Sequence, residues 1–130
     1  MNEECRIRID TYAGAEGSEV ANTTAQGWYS LRDEKHRVRF GVSNDRCRVE
    51  FDEEGLYYAR SGELSFEMRL RPGQKSMINM KTSYGDVTTA FEVDSYAAEI
   101  GEETMKISTA YHSEDEKYRI EIEVTSIPMG

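Results

Sequence analysis

Apolar and polar residues alternate one for one along most of this chain. Cys5, Ile7 and Ile9 alternate with Arg6, Arg8 and Asp10. Val38, Phe40 and Val42 face one way while Arg37 and Arg39 face the other. The same holds for Cys47, Val49 and Phe51 against Arg46, Arg48 and Glu50, and for Leu64, Phe66, Met68 and Leu70 against Ser65, Glu67 and Arg69. It recurs over Val87–Val93, Met105–Tyr111 and Tyr118–Val124. A period of two is that of a strand, whose successive side chains leave opposite faces. One apolar edge and one charged edge per run mark an antiparallel sheet wetted on one side. A parallel sheet would show continuous apolar runs separated by helical patterns, and neither occurs.

Turn signals fall between these runs. "SND" (43–45), "DEEG" (52–55), "SG" (61–62), "RPG" (71–73), "YGD" (84–86) and "SEDE" (113–116) supply Gly, Pro, Asn and Asp where a strand of ordinary length ends. "AGAEGSE" (13–19) is a longer glycine-bearing loop, and 95–103, "SYAAEIGEE", is the one place that fits a short helical turn. Connections this short force sequence neighbours to pair. The expected fold is therefore all-β: an antiparallel up-and-down meander of about 8–10 strands, closed into a barrel that hides its own edges. At 130 residues the chain makes one domain, 1–130. A barrel of this strand number holds one small ligand or is filled by its own side chains.

Charge narrows the partners. The net charge is −9, which argues against a phosphate backbone as partner. The imbalance is uneven: residues 1–50 carry eight basic and nine acidic side chains, and the acidic excess lies beyond them. No stretch approaches the roughly 20 apolar residues of a membrane span, and "MNEECRIRID" begins acidic without an apolar run. The expectation is a cytoplasmic protein. Cys5 and Cys47 sit at apolar positions and read as buried thiols, with a disulfide between them left open. Only His36 and His112 accompany them, neither at ligand spacing, so no metal site is expected. No nucleophile elbow, Cys-His pairing or phosphate loop is present, so no catalytic residue and no cofactor is assigned.

The stretch from Leu56 to Ile100, followed by "MKISTAYH" and "YRIEIEV", resembles the YwiB-like family of small, uncharacterised bacterial proteins. The resemblance is carried by Arg60-Ser61-Gly62, Phe66, the Pro72-Gly73 turn, Thr82 and Tyr84-Gly85, and more loosely by "TTAQGWYSL" (23–31). It implies a calycin-like, lipocalin-type β-barrel and a bacterial, cytoplasmic origin. It carries no activity and no catalytic residues, and the N-terminal arginines match nothing in it.

Several residues are candidates for a site. If Leu56, Tyr58 and Arg60 share the inner face of a strand, Arg60 points into a barrel end. There it needs a carboxylate, a set of carbonyls or an anionic ligand as partner. Trp28 and Tyr29 follow Gly27, and one of the two faces inward; the calycin resemblance favours Trp28 as a plug across one end. Tyr84-Gly85-Asp86 reads as a hairpin corner with Gly-Asp as its loop, or as a place where the Tyr84 hydroxyl meets a ligand at the mouth. Phe66, Met68, Phe91 and Tyr111, with Met77, Met80 and Met105, are candidates to line a cavity. Arg6, Arg8, Arg37, Arg39, Arg46 and Arg48 share outward parity. They pair with glutamates such as Glu121 and Glu123, or they form a basic patch for an acidic protein partner. The preferred reading is non-enzymatic binding of a small, partly apolar or anionic ligand in the barrel. The alternative is an interaction module that uses the arginine-rich outer face.

Overall fold

The computed structural model describes residues 1–128. Ten antiparallel strands form one sheet: β1 (Glu4–Ala13), β2 (Ser18–Arg32), β3 (Lys35–Val42), β4 (Asp45–Phe51), β5 (Leu56–Ser61), β6 (Phe66–Leu70), β7 (Lys75–Thr82), β8 (Gly85–Ile100), β9 (Thr104–His112) and β10 (Lys117–Ser126). The spatial order is β6-β5-β4-β3-β2-β1-β10-β9-β8-β7. Every neighbouring pair but one is a hairpin; the exception is β1 with β10, which zips the two ends of the chain together from Cys5↔Ser126 to Ala13↔Tyr118. The sheet curls until its two edge strands, β6 and β7, meet at a single bridge. There Ser65 N–H donates to the Lys81 carbonyl (2.9 Å) and Lys81 N–H to the Ser65 carbonyl (2.8 Å). Beyond that bridge no ladder joins β6 to β7 among the described residues. The barrel is thus nearly closed, with a seam between two strands that follow one another in sequence.

The alternation sends its apolar members inward. Cys5, Ile7, Ile9, Val38, Phe40, Cys47, Val49 and Phe51 are buried from one side of the curl. Leu56, Met68, Leu70, Phe91, Met105, Ile107, Ile122 and Val124 are buried from the rest. Gly27 lets β2 lie close over this core, because a Cβ there would stand 2.8 Å from Val38 Cγ1 and 3.1 Å from the Arg39 carbonyl. The two thiols are free and buried.

Two expectations change. Residues 95–100 are not helical; β8 runs unbroken to Ile100. A β-bulge between Val93 and Ser95 inserts Asp94 as an unpaired residue. The parity then flips, so Phe91 and Val93 face inward before it and Tyr96 and Ala98 after it. The β7–β8 corner is also two residues earlier than the Gly-Asp signal implies. Thr82 pairs with Gly85, so Ser83-Tyr84 is the loop, and Gly85 takes the left-handed step at φ 130° just after it. The β2–β3 connection has no glycine at all: Asp33 and Glu34 form its two-residue loop, both at positive φ.

Candidate functional site

The interior has two unlike halves. One end is plugged. Tyr29 and His36 stack with ring centroids 5.8 Å apart, and His36 stacks on Phe51 at 5.4 Å. The Tyr29 hydroxyl lies 2.6 Å from His36 Nδ1. Burial lowers the His36 pKa, with the Asp52 carboxylate pulling weakly the other way, and raises that of Tyr29. Both shifts favour the neutral forms, and the imidazole tautomer sets which of the two donates. From across the barrel the Tyr96 hydroxyl donates to the carbonyls of Asp52 (2.7 Å) and Gly55 (2.9 Å), tying β8 to the β4–β5 turn.

The other end holds a cavity of about 360 Å³. Its walls are apolar side chains from around the barrel, among them Ile9, Phe66, Met68, Phe91 and Ile120. Ile78 and Met80 of β7 face Phe66 and Met68 of β6 across the seam, so the poorly bonded edge of the barrel is also a wall of the cavity. Aromatic rings frame it: Tyr58 meets Phe66 edge-on at 5.0 Å, and Tyr111 lies 5.2 Å from Phe91 and 5.1 Å from Tyr118. Tyr58 and Tyr111 are both buried, and neither hydroxyl has a hydrogen-bond partner among the described residues. Burial pushes the Tyr58 pKa up to about 12 and raises that of Tyr111 as well. Both therefore remain donors at neutral pH.

Arg60 stands at the rim of this cavity. Its partner is a carboxylate: Nε donates to Asp45 Oδ2 at 2.8 Å. Asp45 is only 4 % exposed. It also accepts from the backbone N–H groups of Glu63 (2.8 Å) and Leu64 (3.3 Å). The Arg60 hydrogen bond first, and the Glu63 N–H second, hold its carboxyl below the usual carboxylate range. The turn can close over Asp45 only because residue 62 is glycine. At φ 152° a Cβ on Gly62 would sit 1.9 Å from Asp45 Oδ1. The Arg60-Ser61-Gly62 motif is therefore one clasp: an arginine, a carboxylate on the neighbouring strand β4, and a glycine that permits the approach.

Of the candidate residues, Arg60, Phe66, Met68, Phe91 and Tyr111 come together around the cavity, and Trp28 and Tyr84 do not. Trp28 points outward and is 51 % exposed; Tyr29 is the ring that turns in, since Gly27 occupies the inward position two residues earlier. Tyr84 is fully exposed at the tip of its turn, where Thr82 Oγ1 accepts from its backbone N–H at 3.1 Å. Met80 lines the cavity, Met105 is core, and Met77 faces water. Tyr58, which has the inward parity of its strand, and Ile78 and Tyr118, which the pattern does not mark as cavity residues, complete the wall. Neither histidine borders it. His36 is in the plug, and His112 is on the outside, 2.8 Å from the exposed Asp94 carboxylate.

Similarity to known proteins follows the same outline. A family model described as a domain of unknown function, DUF1934, matches residues 6–123. The chain belongs to the DUF1934 family. Among solved structures, the crystal structure of the ywiB protein from Bacillus subtilis superposes on this DUF1934 chain with a TM-score of 0.83. It shares 18 % identity, over 98 % of this chain and 96 % of that one. At that identity the likeness establishes the fold, and it agrees with the YwiB-like resemblance seen in the residues. No curated protein matches the chain. Among the described residues, no helix is long and apolar enough to cross a membrane.

Proposed function

We propose that this DUF1934 barrel binds a small, partly apolar molecule in its half-empty interior and performs no chemistry on it. The observation that carries the reading is the contrast between the two ends. One is sealed by stacked rings and the other keeps about 360 Å³ unfilled, within the usual range for a small-molecule site. The walls suit an apolar body. The few polar groups, the Arg60 guanidinium and the Tyr58 and Tyr111 hydroxyls, suit a hydrogen-bond acceptor or an anionic group at one end of it. Both histidines lie away from the cavity, which favours binding over acid–base catalysis. The strand order supports a calycin-like assignment, and two free buried thiols support a reducing, cytoplasmic setting.

Native mass spectrometry of protein purified from its own host tests this. A retained small molecule is expected, and Ile78→Trp, which fills the cavity from the seam, should expel it. A protein that carries nothing, or a ligand that Ile78→Trp leaves in place, would overturn the reading.

A further inference from the structure

The outer face of β2–β6 carries a second feature, independent of the interior. Registers align its outward side chains in rows. One row runs Arg37↔Glu50↔Tyr57↔Arg69, with a carboxylate directly opposite its first arginine. Glu50 Oε1 takes Arg37 Nη2 at 2.5 Å, and Arg48 Nε is 3.6 Å away. The adjacent row runs Glu4↔Trp28↔Arg39↔Arg48↔Ala59↔Glu67, with its carboxylates at the two ends and its arginines in the middle. Here two guanidinium groups stand directly opposite each other, an arrangement that destabilises a sheet. Arg46, two residues from Arg48, adds a third. Neither Arg39 nor Arg46 has a carboxylate within salt-bridge distance among the described residues. Gly41 and Ala59 leave the floor of this face low, so the arginines and Trp28 border an open trough. All this sits on a chain whose net charge is −9.

We infer that this trough docks an extended acidic segment of a partner protein, with carboxylates on Arg39, Arg46 and Arg48 and an apolar or aromatic side chain on Trp28. From β2 to β5 the row spans roughly 14 Å at ~4.8 Å per strand, the reach of four or five extended residues. A polyanion meeting this row relieves the repulsion between Arg39 and Arg48, which the chain offsets only at Arg48, through Glu50 at 3.6 Å. Single-stranded nucleic acid fits less well. Stacking along a strand of bases needs successive free rings, and Trp28 is the one free ring in the trough. The Tyr57 ring is already covered by the guanidinium groups of Arg69 (4.6 Å) and Arg48 (5.3 Å). Glu67 also places a carboxylate at the far end of the row, and the molecule as a whole repels phosphates.

Fluorescence anisotropy with the fluorescein-labelled peptide Asp-Glu-Phe-Asp-Glu tests this. Saturable, salt-sensitive binding is expected, weakened about tenfold by Arg39→Glu or Arg46→Glu and several-fold by Trp28→Ala. Arg39→Glu sets a carboxylate opposite Arg48, so thermal stability should hold or rise while binding falls. That separates a docking role from a structural one. The inference is overturned if the peptide does not bind, or if the two charge reversals leave binding unchanged. It is also overturned if a labelled oligouridylate competes the peptide off and binds more tightly. Sedimentation that shows self-association through this face, abolished by Arg39→Glu, would replace the partner with a second copy and overturn it too.

Discussion

His36 is where a single side chain links the packing of this barrel to pH. It is sandwiched between Tyr29 and Phe51, and burial lowers its pKa. The folded protein therefore binds the proton less readily than the unfolded chain, whose imidazole titrates near 6.5. The stability contributed by the neutral ring is fully present above that pH and is lost as pH falls through the lowered folded value. The melting temperature should decline on acidification below about 6.5, and His36→Phe, which keeps the stack, should flatten that limb of the curve. The same residue shows the limit of pattern reading. His36 lies at the start of β3, beside a turn with neither Gly nor Pro, so its sequence context reads as an exposed loop edge. Only the stack across β2, β3 and β4 makes it interior. Arg60 is the opposite case: its inward parity and its need for a partner are both legible, and Asp45, fifteen residues away, is found only by the fold.

At the scale of strands, alternation is legible wherever three or more apolar residues anchor a face, as in β1, β4, β6, β9 and β10. It fails in two places for stated physical reasons. In β8 the bulge at Asp94 changes the parity mid-strand, so "SYAAEI" breaks the period of two and reads as a helical turn. In β2 the run Ser18–Gln26 has few apolar anchors, which leaves the choice between Trp28 and Tyr29 open until Gly27 is seen against Val38 and Cys5. That contact also makes β2 sensitive to volume. Gly27→Ala would press a methyl group against Val38 Cγ1 (2.8 Å) and the Arg39 carbonyl (3.1 Å), and should cost roughly 1–3 kcal/mol in urea unfolding. Adding Val38→Ala should return part of that loss, because the two side chains then share the space.

Taken as a whole molecule, the barrel has an unusual division of labour between its joints. The strongly bonded junction, β1 with β10, is made by the most distant parts of the chain: Ile127 N–H donates to the Glu4 carbonyl at 3.0 Å, and Asn2 Nδ2 to the Ile127 carbonyl at 2.9 Å. The weak junction, at the Ser65–Lys81 bridge, is made by strands only a tight turn apart. Relinking the ends and cutting at Pro72-Gly73 would make every ladder in the sheet a contact between successive strands, β7 through β10 and then β1 through β6. Such a circular permutant should fold to the same barrel and refold faster in stopped-flow measurements, since the long β1–β10 ladder has become a local hairpin and only the Ser65–Lys81 bridge has become distant.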